Sequence, residues 1–581
     1  MRGMTREPRI VTGSALLLGL LTLLVSCATT AQPSAQAPAS TDATAPRATK
    51  TLTIGLSSTV ASLGSLASPS GAGGWLPMTE IYTDALVTSD EHSRQPVGRL
   101  ASRVPSLDDG SITVLPDGRM RVEYHLRPGI TWQDGVPFTA QDLVFSTKLD
   151  GDSGLPTINT QATHLMDSAE APDDSTFVIN FKGPYYRGGQ LGPQLLWPLP
   201  QHLLGEPYSK YLDTKNPDDM INLPFWTSGY VSTSPFKLTS FEEGEGLTFQ
   251  AYDAYYLGRP HIDTVRIRFF EDPDTLYANL LSGTVDMFAA SALSQDQSFS
   301  MRDQWATTHD GTVYLLPGSI WFVSPQLRPS LQIEAAVLDP RVRAAFYMAL
   351  DRDTLADELL NGKRDQAAYS LLPTTHPLYE VTKDALRQFA YDPNRAKAQL
   401  AELGWTTGAD GALHNTTDGR VFNTGIWTTQ GMDRDEAAIA DYWRKLGIQV
   451  DEYVVPRSRA RDEQYRASYP GWEYSTASPG DGVLDRVETG AAGNRGGYED
   501  SHSQALLDAY RASLSPQDQR QAMQAISDYF VQQLPFLPIY FNVFPIGIRT
   551  RVTNVSVEGA SSGIEGYGTL SRNAYLWDVS P

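Results

Sequence analysis

The chain has 581 residues, 41% of them hydrophobic and 19% charged, so it can bury a core and is not a disordered polymer. Lys and Arg total 46 against 67 Asp and Glu, a net charge of −21, which argues against nucleic acid as a partner because phosphate recognition needs a clustered basic surface. A single cysteine excludes an intramolecular disulfide and a cysteine-based zinc site, and beyond the N-terminus no apolar run reaches the ~18 residues of a membrane span.

Arg2, Arg6 and Arg9 precede an apolar stretch from Ala15 to Val25, too short to span a bilayer comfortably; this is the pattern of an export signal. It runs into Leu24-Val25-Ser26-Cys27, and Cys27 is the only cysteine. The tetrad resembles a bacterial lipobox, which implies a signal peptide over 1–26 and a lipid on Cys27 as the new amino terminus. Ala28 to Thr49 is mostly Ala, Thr, Ser, Gln and Pro and reads as a flexible tether. The expectation is a protein held at the cell membrane by lipid while working in extracytoplasmic water.

Lys50 to Leu56 alternates with period two and predicts the first strand. Ser58 to Trp75 is rich in Ser, Gly and Ala, and Ile81 to Val87 reads as the next packed element. Asp109-Gly110 and Asp117-Gly118 suggest hairpins around short alternating runs, with a strand over Met120 to Leu126. Thr139 followed by Asp142 predicts a helix start, because a hydroxyl caps free N–H groups and an acid suits the positive helix end. Phe177 to Phe181 is a further strand, and Leu191 to Leu204 is Pro-rich and apolar. After about Ala290 the pattern turns more helical. Asp339-Pro340, Asp392-Pro393 and Ser515-Pro516 each place a capping side chain before a first-turn proline. Arg434 to Leu446 is amphipathic and stops at Gly447; a strand over Ile448 to Val455 follows. Phe536 to Phe544 is a nearly continuous apolar run, expected to be a buried strand. Alternating helices and strands make the class α/β.

The stretch Tyr124 to Phe145, with Leu126-Arg127, Gly129, Trp132, Asp134-Gly135, Pro137 and Thr139-Ala140-Gln141-Asp142, resembles the signature of the family 5 extracytoplasmic solute-binding proteins. These are the peptide- and nickel-binding receptors of ABC importers. Further segments resemble the family's landmarks in the family's order: Ser234 to Leu238, Tyr252 to Pro260, Leu280 to Asp286, Arg341 to Arg352, Tyr391 to Leu400 with Gly404-Trp405, and Leu534 to Tyr540. Most of these are expected to be scaffold, Arg343 for instance as a structural ion-pair partner.

The resemblance implies a two-lobed periplasmic-binding-protein-like fold, type II, in its large three-subdomain variant, with the ligand in an interlobe cleft that closes by hinge motion. Lobe 1 is expected over 50–290 plus 531–581, with an inserted subdomain at about 81–190, and lobe 2 over 291–530. The implied function is a lipid-anchored, monomeric substrate-binding protein that delivers peptides to the transmembrane subunits of an ABC permease, with no cofactor. The alternative within binding proteins is a non-peptide solute: an oligosaccharide, an opine-like compound or a metal chelate.

Enzyme readings find little support. The nine histidines form no metal-spaced pair. Gly559-Ala560-Ser561-Ser562-Gly563 matches a nucleophile-elbow pattern, but His502, the last histidine, lies upstream of it. Ser234-Pro235-Phe236-Lys237 is a Ser-x-x-Lys of the penicillin-recognising type without its partner motifs, and reads as a strand.

A cleft for small molecules wants rigid aromatic walls and a few polar anchors. On the family pattern the candidates are Trp75 after Gly73-Gly74, Trp321, Trp427, and Trp472 with Tyr474. Core packing is the competing reading for each. Peptide-binding relatives often carry "GWxADYxDPxxF", whose acid anchors the peptide α-ammonium. Here the segment is Pro470 to Asp481; Glu473 and Asp481 are nearby, neither cleanly on the motif, and Asp481 is retained as a candidate. The Arg457, Arg459, Arg461 cluster reads as a solvated face.

Overall fold

Ten strands form one continuous sheet. In chain order they are β1 (Thr51–Leu56), β2 (Phe236–Glu242), β3 (Gly246–Ala251), β4 (Thr264–Phe269), β5 (Met287–Ala289), β6 (Gly311–Pro325), β7 (Asn423–Thr429), β8 (Gln449–Val455), β9 (Trp472–Ala477) and β10 (Leu537–Arg549). Their spatial order is β8-β7-β9-β6-β10-β5-β1-β4-β3-β2. This computed structural model describes residues 49–64, 75–93, 95–157, 161–193, 195–460, 462–478, 480–558 and 569–580, all within a unit spanning Thr49–Pro581. Cys27, the tether, the loop 65–74 and the segment 559–568 lie outside the described residues, as do Arg461 and the side chain of Asp481.

The two central strands explain the two-lobed build. β6 and β10 pair antiparallel from Gly311↔Arg549 to Val323↔Leu537. At one end β10 also pairs with β5 through Met287↔Ile548; at the other, β6 pairs with β9 through Val323↔Tyr474. Each long strand therefore leaves one core and enters another. Phe544, Ile546 and Ile548 pack with Leu52, Trp75, Trp197 and Val265. Phe541, Tyr540 and Leu537 pack instead with Val323, Phe346, Trp443 and Trp472. On β6, Val313 belongs with Leu276, Met301 and Trp305, and Ile320 with the second core. Between these points the ladder is interrupted. Pro317 pairs with Val543 and Ile320 with Phe541, so Gly318 and Ser319 together face Asn542, a β-bulge. Glycine suits this bulge, since a Cβ at 318 would meet the Asn542 carbonyl oxygen at 3.0 Å.

Helices cover the sheet, and local capping rules place their ends. They include α1 (Pro273–Ser282), α2 (Gln295–Thr308), α3 (Pro340–Met348), α4 (Arg352–Leu359), α5 (Asp433–Arg444) and α6 (Pro516–Gln533). Asp339 accepts the Arg341 N–H and Ser515 the Asp518 N–H, as their Asp-Pro and Ser-Pro starts predict. Gly447, with φ +94°, ends the turn after α5.

A separate four-stranded sheet, Ile112–Val114, Met120–His125, Thr176–Phe181 and Met166–Asp173, carries its own core around Trp132, Leu143 and Phe177. The family signature lies here and is scaffold. Asp142 accepts from the Trp132 indole at 3.2 Å, the Thr139 N–H at 2.9 Å and the Gln201 N–H at 3.0 Å, tying turn, helix and following segment together. The Pro-rich, apolar stretch Leu191 to Leu204 ends in the helix Gln201–Thr214. One expectation changes. Asp109-Gly110 makes a closed loop, with Ile112 N–H bonded to Ser106 C=O at 2.9 Å, and not a hairpin between strands.

Candidate functional site

A cavity of about 790 Å³ sits where β6 and β10 cross from one core to the other. Gly318 and Ser319 of the bulge and Asn542 to Pro545 of β10 form its floor, and Ser478 joins them from the end of β9. Leu76 and Pro77, and the segment from Ala290 into the first residue of α2, form the opposite wall. The size lies within the ~300–1,000 Å³ range of small-molecule sites, and the location between two cores is where such sites commonly form. Beside it, Gln295 Nε2 of α2 donates to the Leu359 carbonyl of α4 at 3.2 Å.

The chemistry of the lining is neutral. Asn542 uses Oδ1 to accept the Val543 N–H at 2.9 Å, which leaves its NH₂ free. The hydroxyls of Ser319 and Ser478 likewise make no hydrogen bond to a described residue. All three side chains are half-buried. No charged side chain lines the cavity among the described residues. Sequence reasoning singled out none of these groups.

The aromatic candidates fall in different places. Trp472 is fully buried, stacked on Phe346 with ring centres 5.2 Å apart and 5.1 Å from Trp443. It is a core residue and has no face on a cleft. Trp75 is likewise buried, stacked on Tyr82 at 5.0 Å; its neighbours Leu76 and Pro77, not its ring, reach the cavity. Tyr474 is buried too, its hydroxyl donating to Asp435 at 2.9 Å. Trp321 is half-buried, stacked on Tyr540 and edge-on to Tyr474, both at 5.6 Å. It lies two residues beyond Ser319 on β6, next to the cavity floor but not in its lining. Trp427 is half-buried among Tyr453 and Tyr465. The register Trp427↔Glu473 puts it on the sheet face opposite Tyr474, so these two aromatics are not brought together.

Acids and arginines near β9 are structural. Tyr540 also donates to Asp435, whose carboxyl is pushed up by burial, an effect opposed by the two tyrosine hydroxyls. Glu473 is clasped by Arg466 and by Arg495, whose Nε lies 2.9 Å from Oε2, so it is not available as an ammonium anchor. Arg343 departs from its expected ion pair: its guanidinium donates to the carbonyls of Val337, Leu338, Gln533 and Leu534, and burial lowers its pKa to about 10. Arg457 bonds Gln430 and Arg459 lies over Tyr465 at the exposed surface. Ser234 is fully buried with its hydroxyl 2.7 Å from that of Ser232, while Lys237 donates to the Gln133 carbonyl; no serine–lysine nucleophile is formed.

Residues 95–494 match the family described as Bacterial extracellular solute-binding proteins, family 5 Middle. The chain belongs to this family. It is one of solute-binding receptors rather than enzymes. Among its members, the oligopeptide-binding protein AppA of Bacillus subtilis is 25% identical over 374 residues, covering 62% of this chain and 64% of AppA. Heme-binding protein A of Haemophilus influenzae is 23% identical over 474 residues, covering 75% and 79%. The chain spans less than two thirds of the length of the first curated relatives it matches, 64% and 57%. Solved structures share the fold. AppA of Bacillus subtilis in complex with a nonapeptide superposes with a TM-score of 0.66 at 18% identity, over 92% of this chain and 100% of AppA. NikA of Brucella suis in complex with Fe(III)-EDTA gives 0.71 at 19% identity, over 91% and 100%. No helix among the described residues is long and apolar enough to cross a membrane.

Proposed function

We propose that this family 5 receptor is the substrate-binding component of an ABC importer, capturing peptides in the cavity between its lobes and passing them to a membrane permease. The observation that carries this reading is the cavity at the crossing of β6 and β10, walled by elements of both cores. A ligand there touches both lobes only when they are together, so binding favours the closed state. The lobes follow the packing: the first takes the chain up to the bulge in β6 together with the end of β10 from Phe544, and the second takes what lies between. Residues 81–190 contain the inserted subdomain. A lipid on Cys27 and the tether to Thr49 hold the monomeric receptor beside its permease.

Peptide is preferred because AppA is named for oligopeptides and its structure holds a nonapeptide. A non-peptide solute is the second reading, favoured by relatives named for heme and solved with Fe(III)-EDTA or agropinic acid. A thermal-shift screen of di- to hexapeptides separates them. A binding peptide at a hundredfold excess over its Kd adds about 2.7 kcal/mol of stability and shrinks the radius of gyration in solution scattering. Hits confined to sugars or chelates sink the peptide assignment and leave the receptor role standing. For the anchor, Cys27→Ser should abolish acylation and release the protein from membranes; unchanged membrane partition would refute it.

A further inference from the structure

Three strands of one sheet bring three unpaired neutral groups to the cavity: the Ser319 hydroxyl from β6, the Ser478 hydroxyl from beyond β9 and the Asn542 amide NH₂ from β10. They come from three separate segments of the chain, yet each is half-buried and faces the same space. Half-exposed and without a protein partner among the described residues, these groups are free to exchange water for a ligand's hydrogen bonds. The β-bulge adds to it. Two residues, Gly318 and Ser319, stand opposite Asn542, which interrupts the β6–β10 ladder on the cavity floor. Against these groups stand apolar surfaces, Leu76 and Pro77 on one side and Val543 and Phe544 on the other.

Charge is what the lining lacks. Among the described residues no Asp, Glu, Lys, Arg or His lines the cavity. Of the two acids near the family's ammonium-anchoring segment, Glu473 is clasped by Arg466 and Arg495, and the side chain of Asp481 lies outside the described residues. Among the described lining residues a formal charge on the ligand meets no opposite charge, so hydration given up there is not returned by an ion pair.

Resting on the receptor reading above, we propose that the cavity recognises an uncharged, hydrogen-bonding stretch of its ligand. For a peptide this is the interior run of amides, with both charged termini left in solvent. Ser319, Ser478 and Asn542 pair with ligand carbonyl and N–H groups, and Leu76, Pro77 and Phe544 pack on its apolar side. Affinity is then indifferent to whether the ends are charged, and indifferent to salt, because no ion pair is screened.

The test uses the full-length receptor and isothermal titration with three probe sets at 20 mM and 500 mM NaCl. The sets are free hexapeptides, the same hexapeptides N-acetylated and C-amidated, and neutral hexasaccharides. The expected result is that free and capped peptides bind within about threefold of each other, with less than about a twofold change between the salts. A preference for free termini of more than about tenfold, or a loss of that size in high salt, overturns the inference while leaving the peptide reading intact. Binding of the neutral sugars alone sinks the peptide reading and sustains the uncharged-ligand inference. Silence from all three sets overturns it. Asn542→Asp supplies a second readout, since it keeps the side-chain shape and puts a carboxylate in the cavity. With an unchanged melting temperature, this variant should bind the best neutral probe at least about tenfold more weakly, whereas undiminished binding by the folded variant overturns the proposal.

Discussion

Trp472 and Ser478 lie six residues apart, at the start of β9 and just past its end, and they have opposite fates. Trp472, at the start, is sealed between Phe346 and Trp443 with no exposed surface. Ser478 stands half-exposed at the rim of the cavity. Both lie near aromatic-rich sequence, and both occupy the segment that the family pattern points to. The difference teaches how the labour is divided. Large rings give the second lobe its core, where every ring buries apolar area and excludes water. The cavity proposed for the ligand is lined instead by small neutral side chains at the point where the sheet changes core.

That contrast can be broken most easily at Trp472. Trp472→Ala should remove about 3–5 kcal/mol of stability, as truncation of a buried Trp does, read as a lower urea midpoint at unchanged slope. Affinity of the folded fraction should change little. A stable variant with lost affinity would put Trp472 back on the cleft.

A smaller effect is expected at Glu436, one of the acids at the start of α5. Its carboxyl is buried and pushed up to about 7, burial being the main cause, and only the Tyr453 N–H at 3.3 Å opposes it. The unfolded chain lets this group ionise near its ordinary value, about 4.3. Between these pH values the native state holds the extra proton, so stability falls as pH rises from about 4.3 to about 7. Glu436→Gln should flatten that slope by about 1–2 kcal/mol, measured as urea midpoints at pH 5 and pH 8. In lobe 1, Asp84 is also raised, to about 6, mainly by burial, with Arg99 opposing. Its contribution has the same sign and ends one pH unit lower, so the double variant with Asp84→Asn should be flatter still.

The smallest change in stability is expected at the cavity itself. Ser319→Ala and Ser478→Ala remove hydroxyls that hold nothing in the protein, so each should shift stability by less than about 0.5 kcal/mol. Each should weaken a bound ligand by about 0.5–1.5 kcal/mol, the worth of one neutral hydrogen bond. A destabilisation above about 2 kcal/mol would show that these groups are structural after all.

Much of the local structure is legible in the sequence because its causes are local. Asp339-Pro340, Asp392-Pro393 and Ser515-Pro516 mark helix starts, and each capping oxygen accepts the expected N–H. The strand foreseen over Phe536 to Phe544 exists but continues to Arg549, since pairing with both β5 and β6 extends it past its apolar run. β6 shows the opposite limit. The strand runs fifteen residues straight through Pro317-Gly318, because β10 holds it on both sides of a bulge.

Family and class were thus written in the sequence: the ordered motifs around Trp132, Asp286, Arg343 and Trp405 are scaffold, each held in a core or by hydrogen bonds to the backbone or a neighbouring side chain. Trp321, Trp427 and Trp472 carry no mark that distinguishes cleft from core, because a tryptophan on a strand buries whichever face its neighbours cover. Ser319, Ser478 and Asn542 carry even less signal, being common residues in unremarkable surroundings. Only the register of β9, β6 and β10 brings those three together, and register is a property of strands that pair across long stretches of chain, as Ile320 does with Ala477 and Val323 with Leu537. The sequence by itself determined the elements and the family; the tertiary structure decided which side chains share the cavity, since a site made by distant segments exists only once they are paired.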